Sequence, residues 1–263
     1  MEVIVLDDKL FNQNKLQKDQ ITHNKNGSRP YYYSFKRNNN NICVPFRTNT
    51  RKVPNKYKEK LGNLQPYKPD SAVDLTKSIV LSNEEYQKHK SRANIPSKVN
   101  KFLKEPAQRE SIERKFDTML NDYIEAKSKS SNIPLTKIST LQYFHNELNI
   151  QDTIDNKLTK NAINELISNG KSNRYNKLQS SLPNEKLDLL DDYETLYEFK
   201  NLTDYPAKIN SNDMDNPYLE VEKNNKHFTL SALTIKNEPE KHVKDFLNYD
   251  IENEKNKDID LDL

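Results

Sequence analysis

The sequence predicts a mostly disordered chain with a small all-α part, three to four short amphipathic helices over about 106–200, and no large sheet. Three observations predict this. Of the 263 residues, 33% are hydrophobic and 31% charged, with no tryptophan. So little apolar material is set against roughly 1–2 kcal/mol of backbone ordering per residue. Pro30, Pro45, Pro54, Pro66 and Pro69 interrupt residues 9–70, which show no sustained hydrophobic period. Apolar residues recur at spacings of three and four only beyond Pro106.

Taken in order, residues 1–8 form a short apolar strand with an acidic end: Val3, Ile4, Val5 and Leu6, then Asp7 and Asp8. Residues 9–105 read as a basic disordered region with short linear motifs, including the run Asn38–Asn41. The helical module follows. Its first helix starts at Pro106, a favourable first-turn residue, with Ile112, Phe116, Met119, Leu120, Tyr123 and Ile124 on one face. A second covers TKISTLQYFHNELN. A third runs from Asp152, an N-cap, to Gly170, a C′ residue. A fourth covers NEKLDLLDDYETLYEF. Such helices are marginal alone in water, so they either form a small bundle or await a partner. Residues 201–263 read as an acidic disordered tail.

The net charge of +3 is unevenly spread. Residues 1–70 hold 14 Lys+Arg against 6 Asp+Glu, and residues 181–263 hold 10 against 20. That pattern suits partners of opposite charge at the two ends, or tails that screen each other. Cys43 is the only cysteine, which excludes an intramolecular disulfide and favours a reducing compartment. No apolar run approaches the length of a membrane span, so no membrane partner is expected. Four aliphatics followed by acids do not make a secretory signal. The nucleus is the expected location, with the cytoplasm as the alternative.

VIVLDD resembles a SUMO-interaction motif, three or four aliphatics flanked by acids. The resemblance implies β-augmentation: the peptide pairs with an exposed strand edge, alternate side chains fill a groove, and the acids meet basic residues at its rim. Ile79, Val80 and Leu81, followed by Ser82, Glu84 and Glu85, form a second match. Ala72–Thr76 and Asp258–Leu263 are weaker ones. Lys236 in Ile235–Lys236–Asn237–Glu238 fits the aliphatic–Lys–x–Glu pattern of SUMO attachment. Asp191–Leu196 resembles an autophagy-receptor peptide, and Tyr218–Val221 shares its spacing.

The segment from Ser28 to Lys60 interleaves cations and aromatics. Arg29, Lys36, Arg37, Arg47, Arg51, Lys52, Lys56, Lys58 and Lys60 would neutralise phosphates, and Tyr31, Tyr32, Tyr33, Phe35 and Phe46 would stack on unpaired bases. Enzyme signatures are missing. The five histidines lack metal-ligand spacing, three glycines cannot make a phosphate loop, and no nucleophile motif occurs. No cofactor is expected. The sequence therefore predicts a non-enzymatic adaptor. It would bind SUMO or SUMO-modified partners through Val3–Leu6 and Ile79–Leu81, and a protein partner through Ile112, Phe116, Leu120 and Tyr123, in a chromosome-associated setting. The alternative is an accessory subunit of an RNA- or DNA-containing complex that binds through residues 29–60.

Overall fold

The computed structural model describes residues 2–21, 32–170, 178, 180–239 and 241–242. The chain is not mostly disordered, and it has a large sheet. It divides into two units, Met1–Ile154 and Asp155–Leu263.

The first unit is built on a seven-stranded antiparallel sheet: β1 (Glu2–Leu6), β2 (Tyr32–Arg37), β3 (Asn40–Arg47), β4 (Lys58–Lys60), β5 (Ala72–Asp74), β6 (Ile79–Ser82) and β7 (Lys90–Arg92). The order along the sheet is β4-β5-β3-β2-β1-β7, and β6 also pairs with β3. One edge of β3 is shared: β6 takes Asn40–Cys43 and β5 takes Phe46–Arg47. Pro45 sits where the partner changes, which is where a residue without an N–H costs the ladder least.

The strands do not show the expected alternation because both faces are covered. Helix α4 (Pro106–Ser128) covers one face with the stripe Ile112, Phe116, Met119, Leu120 and Tyr123, and the Phe116 ring meets Phe35 edge-on at 5.5 Å. The opposite face is covered by α1 (Asp8–Phe11) and α2 (Asn83–His89). Phe11 stacks on Tyr32, and the Tyr86 hydroxyl lies 2.5 Å from Ser34 Oγ. A strand buried on both sides reads as a continuous run rather than HPHP: Tyr32–Phe35 and Asn41–Pro45 are buried throughout. Tyrosines supply much of this core, so few residues fill a large buried volume. Tyr32, Tyr33 and Tyr123 are each 2% exposed or less, and one aromatic side chain buries about 150–250 Å². Burial pushes the Tyr33 hydroxyl up to about 12.

Asparagine, read as a mark of disorder, here closes turns. Asn38 stands at φ 52° between β2 and β3. Asparagine tolerates the left-handed region at little cost. Beyond α3 (Ser97–Lys104) and α4, the segment expected as a second long helix is α5 (Pro134–Ile138) plus a 3₁₀ turn at Thr140–Tyr143.

The second unit begins within α6 (Gln151–Asn169) and holds α7 (Asn184–Leu202), the antiparallel sheet β8 (Ala207–Asn210), β9 (Tyr218–Lys223) and β10 (Lys226–Ser231), and α8 (Ala232–Asn237). The described part of the expected disordered tail is thus strands and helix. Asn224 and Asn225, both at positive φ, make the two-residue turn joining β9 to β10, the type I′ geometry that matches strand twist. Helix α7 packs on β8, β9 and α8 through Leu190, Tyr193, Leu196 and Phe199, all buried. Gly170 follows α6 at φ +75°, with the Tyr197 hydroxyl so close that a Cβ would lie 2.6 Å from it.

Candidate functional site

Three strands bring one cluster together. Antiparallel register sets Lys58 opposite Asp74, Lys60 opposite Ala72, and Ala72 opposite Arg47. Residues directly opposite share a face, as do residues two apart. Arg47, Lys58, Lys60 and Asp74 therefore lie on one face of the β4-β5-β3 patch. The alternate residues Glu59, Val73 and Phe46 lie on the other, where Lys115 of α4 donates to Glu59 at 2.8 Å. Lys77 joins the cluster from the 3₁₀ turn Leu75–Lys77 that follows β5.

Asp74 is the hub. Its side chain is fully buried and accepts from Arg47 Nη1 at 2.5 Å, from Thr76 Oγ1 at 2.7 Å and from the Thr76 amide at 3.0 Å. The two lysines are held by neutral acceptors instead. Lys58 Nζ donates to the Thr50 carbonyl at 2.6 Å. Lys77 Nζ donates to Gln20 Oε1 and the Ile138 carbonyl, both at 2.6 Å. Burial holds both lysines below the ordinary lysine range, with Lys60 adding to the effect on Lys58 and Arg47 to that on Lys77. Four cations thus gather at the buried Asp74 carboxylate, with Asp70 of the adjoining loop also acting on Lys58. Two loops extend the charge: Arg51 and Lys52 are exposed beside Thr50, and Lys68 is exposed on Leu61–Ser71. Arg51 pairs with Asp70 at 2.9 Å.

The residues singled out from sequence fall elsewhere in part. Strand β1 is bonded along both edges, to β2 and to β7. Ile4 and Leu6 are buried in the core, with Val3 and Val5 half-buried. Asp7 caps α1 by accepting from Leu10, and it also meets His89 Nδ1 at 3.0 Å. Asp8 is exposed in the first turn of α1. Ile79, Val80 and Leu81 are the buried strand β6. Ile112, Phe116, Leu120 and Tyr123 are covered within unit 1, with Phe116 against the chain's own β2. Tyr32, Tyr33 and Phe35 are buried and offer no ring to a base. Arg37 pairs with Asp117 and lies over the Phe116 ring, while Lys36 is exposed at the far end of the β2–β3 hairpin. Cys43 is a buried free thiol pushed up by burial. Lys236 lies in α8 with Asp191 and Asp192 as ion-pair partners, not in a flexible segment. Tyr193 is buried in α7. Arg29, Tyr31 and Asp258–Leu263 lie outside the described residues.

Asp74 and Lys77 were missed. In the sequence Asp74 resembles the acid of a linear motif, within Ala72–Thr76. The available signal was a lone acid inside the apolar run AVDL, downstream of the alternating cations of Lys58-Glu59-Lys60. Among the described residues no group of His, Cys, Asp and Glu could hold a metal ion, and no helix is long and apolar enough to cross a membrane. No family model, curated protein or solved structure matches this chain.

Proposed function

We propose that the first unit binds nucleic acid through the face carrying Arg47, Lys58, Lys60 and Lys77. The observation that carries this reading is the charge imbalance: Arg47, Lys58 and Lys60, gathered by strand register, and Lys77, from the turn after β5, stand against the carboxylates of Asp74 and Asp70, with two of the lysines turned to neutral acceptors. Partly buried charges are ordinarily paired with opposite charge. A phosphodiester supplies the missing anions, and the exposed Arg51, Lys52 and Lys68 extend the path. A β-augmenting adaptor reading has less to stand on, because β1 is already paired with β2 through Glu2–Ile4 and with β7 through Ile4–Leu6.

Fluorescence anisotropy with a labelled single-stranded oligonucleotide tests the proposal. Arg47→Ala and Lys60→Ala should each weaken binding several-fold. Lys36→Ala should not, because Lys36 and Arg47 stand at opposite ends of the β2–β3 hairpin, about 20 Å apart along the strand. Equal weakening by Lys36→Ala and Arg47→Ala would defeat the assignment.

A further inference from the structure

Of the aromatic side chains that sequence assigned to stacking, Tyr32, Tyr33 and Phe35 are buried and Phe46 is half-buried, yet a loop hydrogen-bonded to the cation cluster carries a ring that is exposed. Among the described aromatic residues of the first unit, Tyr67 alone is exposed, at 99%. It is not on a loose loop. The Lys68 amide donates to the Gln65 carbonyl at 2.8 Å, which closes a β-turn with Pro66 and Tyr67 at its corners. Proline at the first corner presets the backbone of that turn. The Ser71 amide donates to the Lys68 carbonyl at 3.0 Å, and the Leu61 amide to the Ser71 carbonyl at 2.8 Å, so the ends of the loop are tied together. Gly62 is required there, because a Cβ would fall 2.0 Å from the Pro69 carbonyl oxygen.

This loop is also bonded to the cation cluster. The Asp70 carbonyl accepts from the Thr50 amide at 3.1 Å and from Thr50 Oγ1 at 2.8 Å, while the Thr50 carbonyl accepts from Lys58. A short hydrogen-bonded path thus links the turn that presents Tyr67 to the lysine beside Asp74. Arg51, Lys52 and Lys68 flank it.

Resting on the nucleic-acid reading above, we propose that Tyr67 is a stacking platform for an unpaired base, so that this face takes single strands in preference to duplex. The turn fixes the backbone that carries the ring, so ordering that backbone is not a cost of binding. Stacking of a base on an aromatic side chain is sequence-tolerant, since every base has a π-face. In a duplex the bases are stacked on one another and leave no face for Tyr67.

The test compares wild type, Tyr67→Ala and Tyr67→Phe on three probes: a single strand of about ten nucleotides, its duplex, and an abasic strand of the same charge. Tyr67→Ala should weaken single-strand binding by about ten- to hundredfold and leave abasic binding unchanged. Tyr67→Phe should retain most of the affinity, because the ring and not the hydroxyl is needed. Single-strand binding undiminished in Tyr67→Ala, with wild type binding normally, would overturn the role of Tyr67 and leave the cation face standing. No binding of any probe by wild type at low salt would overturn both.

Discussion

Replacing Ile4 and Leu6 together by alanine is expected to unfold the first unit rather than to silence a detachable motif. The side chains are 1% and 0% exposed, and they belong to a strand flanked on both edges. Each truncation of a buried Ile or Leu costs about 2–5 kcal/mol. The pair therefore removes about 4–10 kcal/mol from a fold whose whole stability is typically about 5–15 kcal/mol. Far-UV circular dichroism against urea would show a large loss of the midpoint. A variant with the wild-type midpoint would mean that β1 is dispensable to the sheet, which the pairing forbids.

Asp74→Ala is expected to be the most damaging single change at the cation cluster, costing about 3–5 kcal/mol. Removing one partner of a buried ion pair leaves uncompensated charge behind, and here it leaves Arg47, Lys58 and Lys77 facing one another. It also frees the Thr76 amide and hydroxyl of their acceptor. The double variant Arg47→Ala/Asp74→Ala should recover part of the loss, since it removes one of the stranded charges. Urea denaturation of the three proteins measures this. A double variant less stable than Asp74→Ala by the full cost of Arg47→Ala would show that the two residues are not coupled. Wherever Asp74→Ala remains folded, its affinity for nucleic acid should not fall, because the face has lost an anion and no cation.

The long helices could be read from sequence because their signal is local. Pro106 opens α4, and the stripe from Ile112 to Ile124 repeats at helical spacing; Gly170 follows α6 in the left-handed conformation. The sheet could not be read, for three physical reasons. Its strands are covered on both faces, so Tyr32–Phe35 and Asn41–Pro45 lack the alternation that marks a half-buried strand. Its partners are distant in the chain: β1 pairs with β7 across Ile4 and Arg92, a contact that no local window contains. Its aromatic-rich core also carries polar atoms, such as Ser34 and Tyr86 bonded to each other, so the strands look hydrophilic by composition.

The site was legible by halves. The cations of residues 47–60 stood out as a basic run, but sequence could not say which of them converge. Register does: Arg47, Lys58 and Lys60 share a face, while Lys36 and Arg37 lie at the other end of the hairpin. Nor could sequence tell a buried tyrosine from a presented one. Tyr31–Tyr33 drew notice as a cluster, whereas the exposed ring is the isolated Tyr67, set out by the proline turn that first read as disorder.

The most direct test of the account is the salt dependence of single-strand affinity for wild type and Arg47→Ala. Neutralising three or four phosphates predicts that the logarithm of the affinity falls with the logarithm of salt at a slope of about −2 to −3, and that losing one contact makes the slope shallower by about 0.7. That pair of slopes would place Arg47 on a phosphate. Identical slopes for the two proteins, or no measurable binding at low salt, would contradict the claim that this face binds nucleic acid.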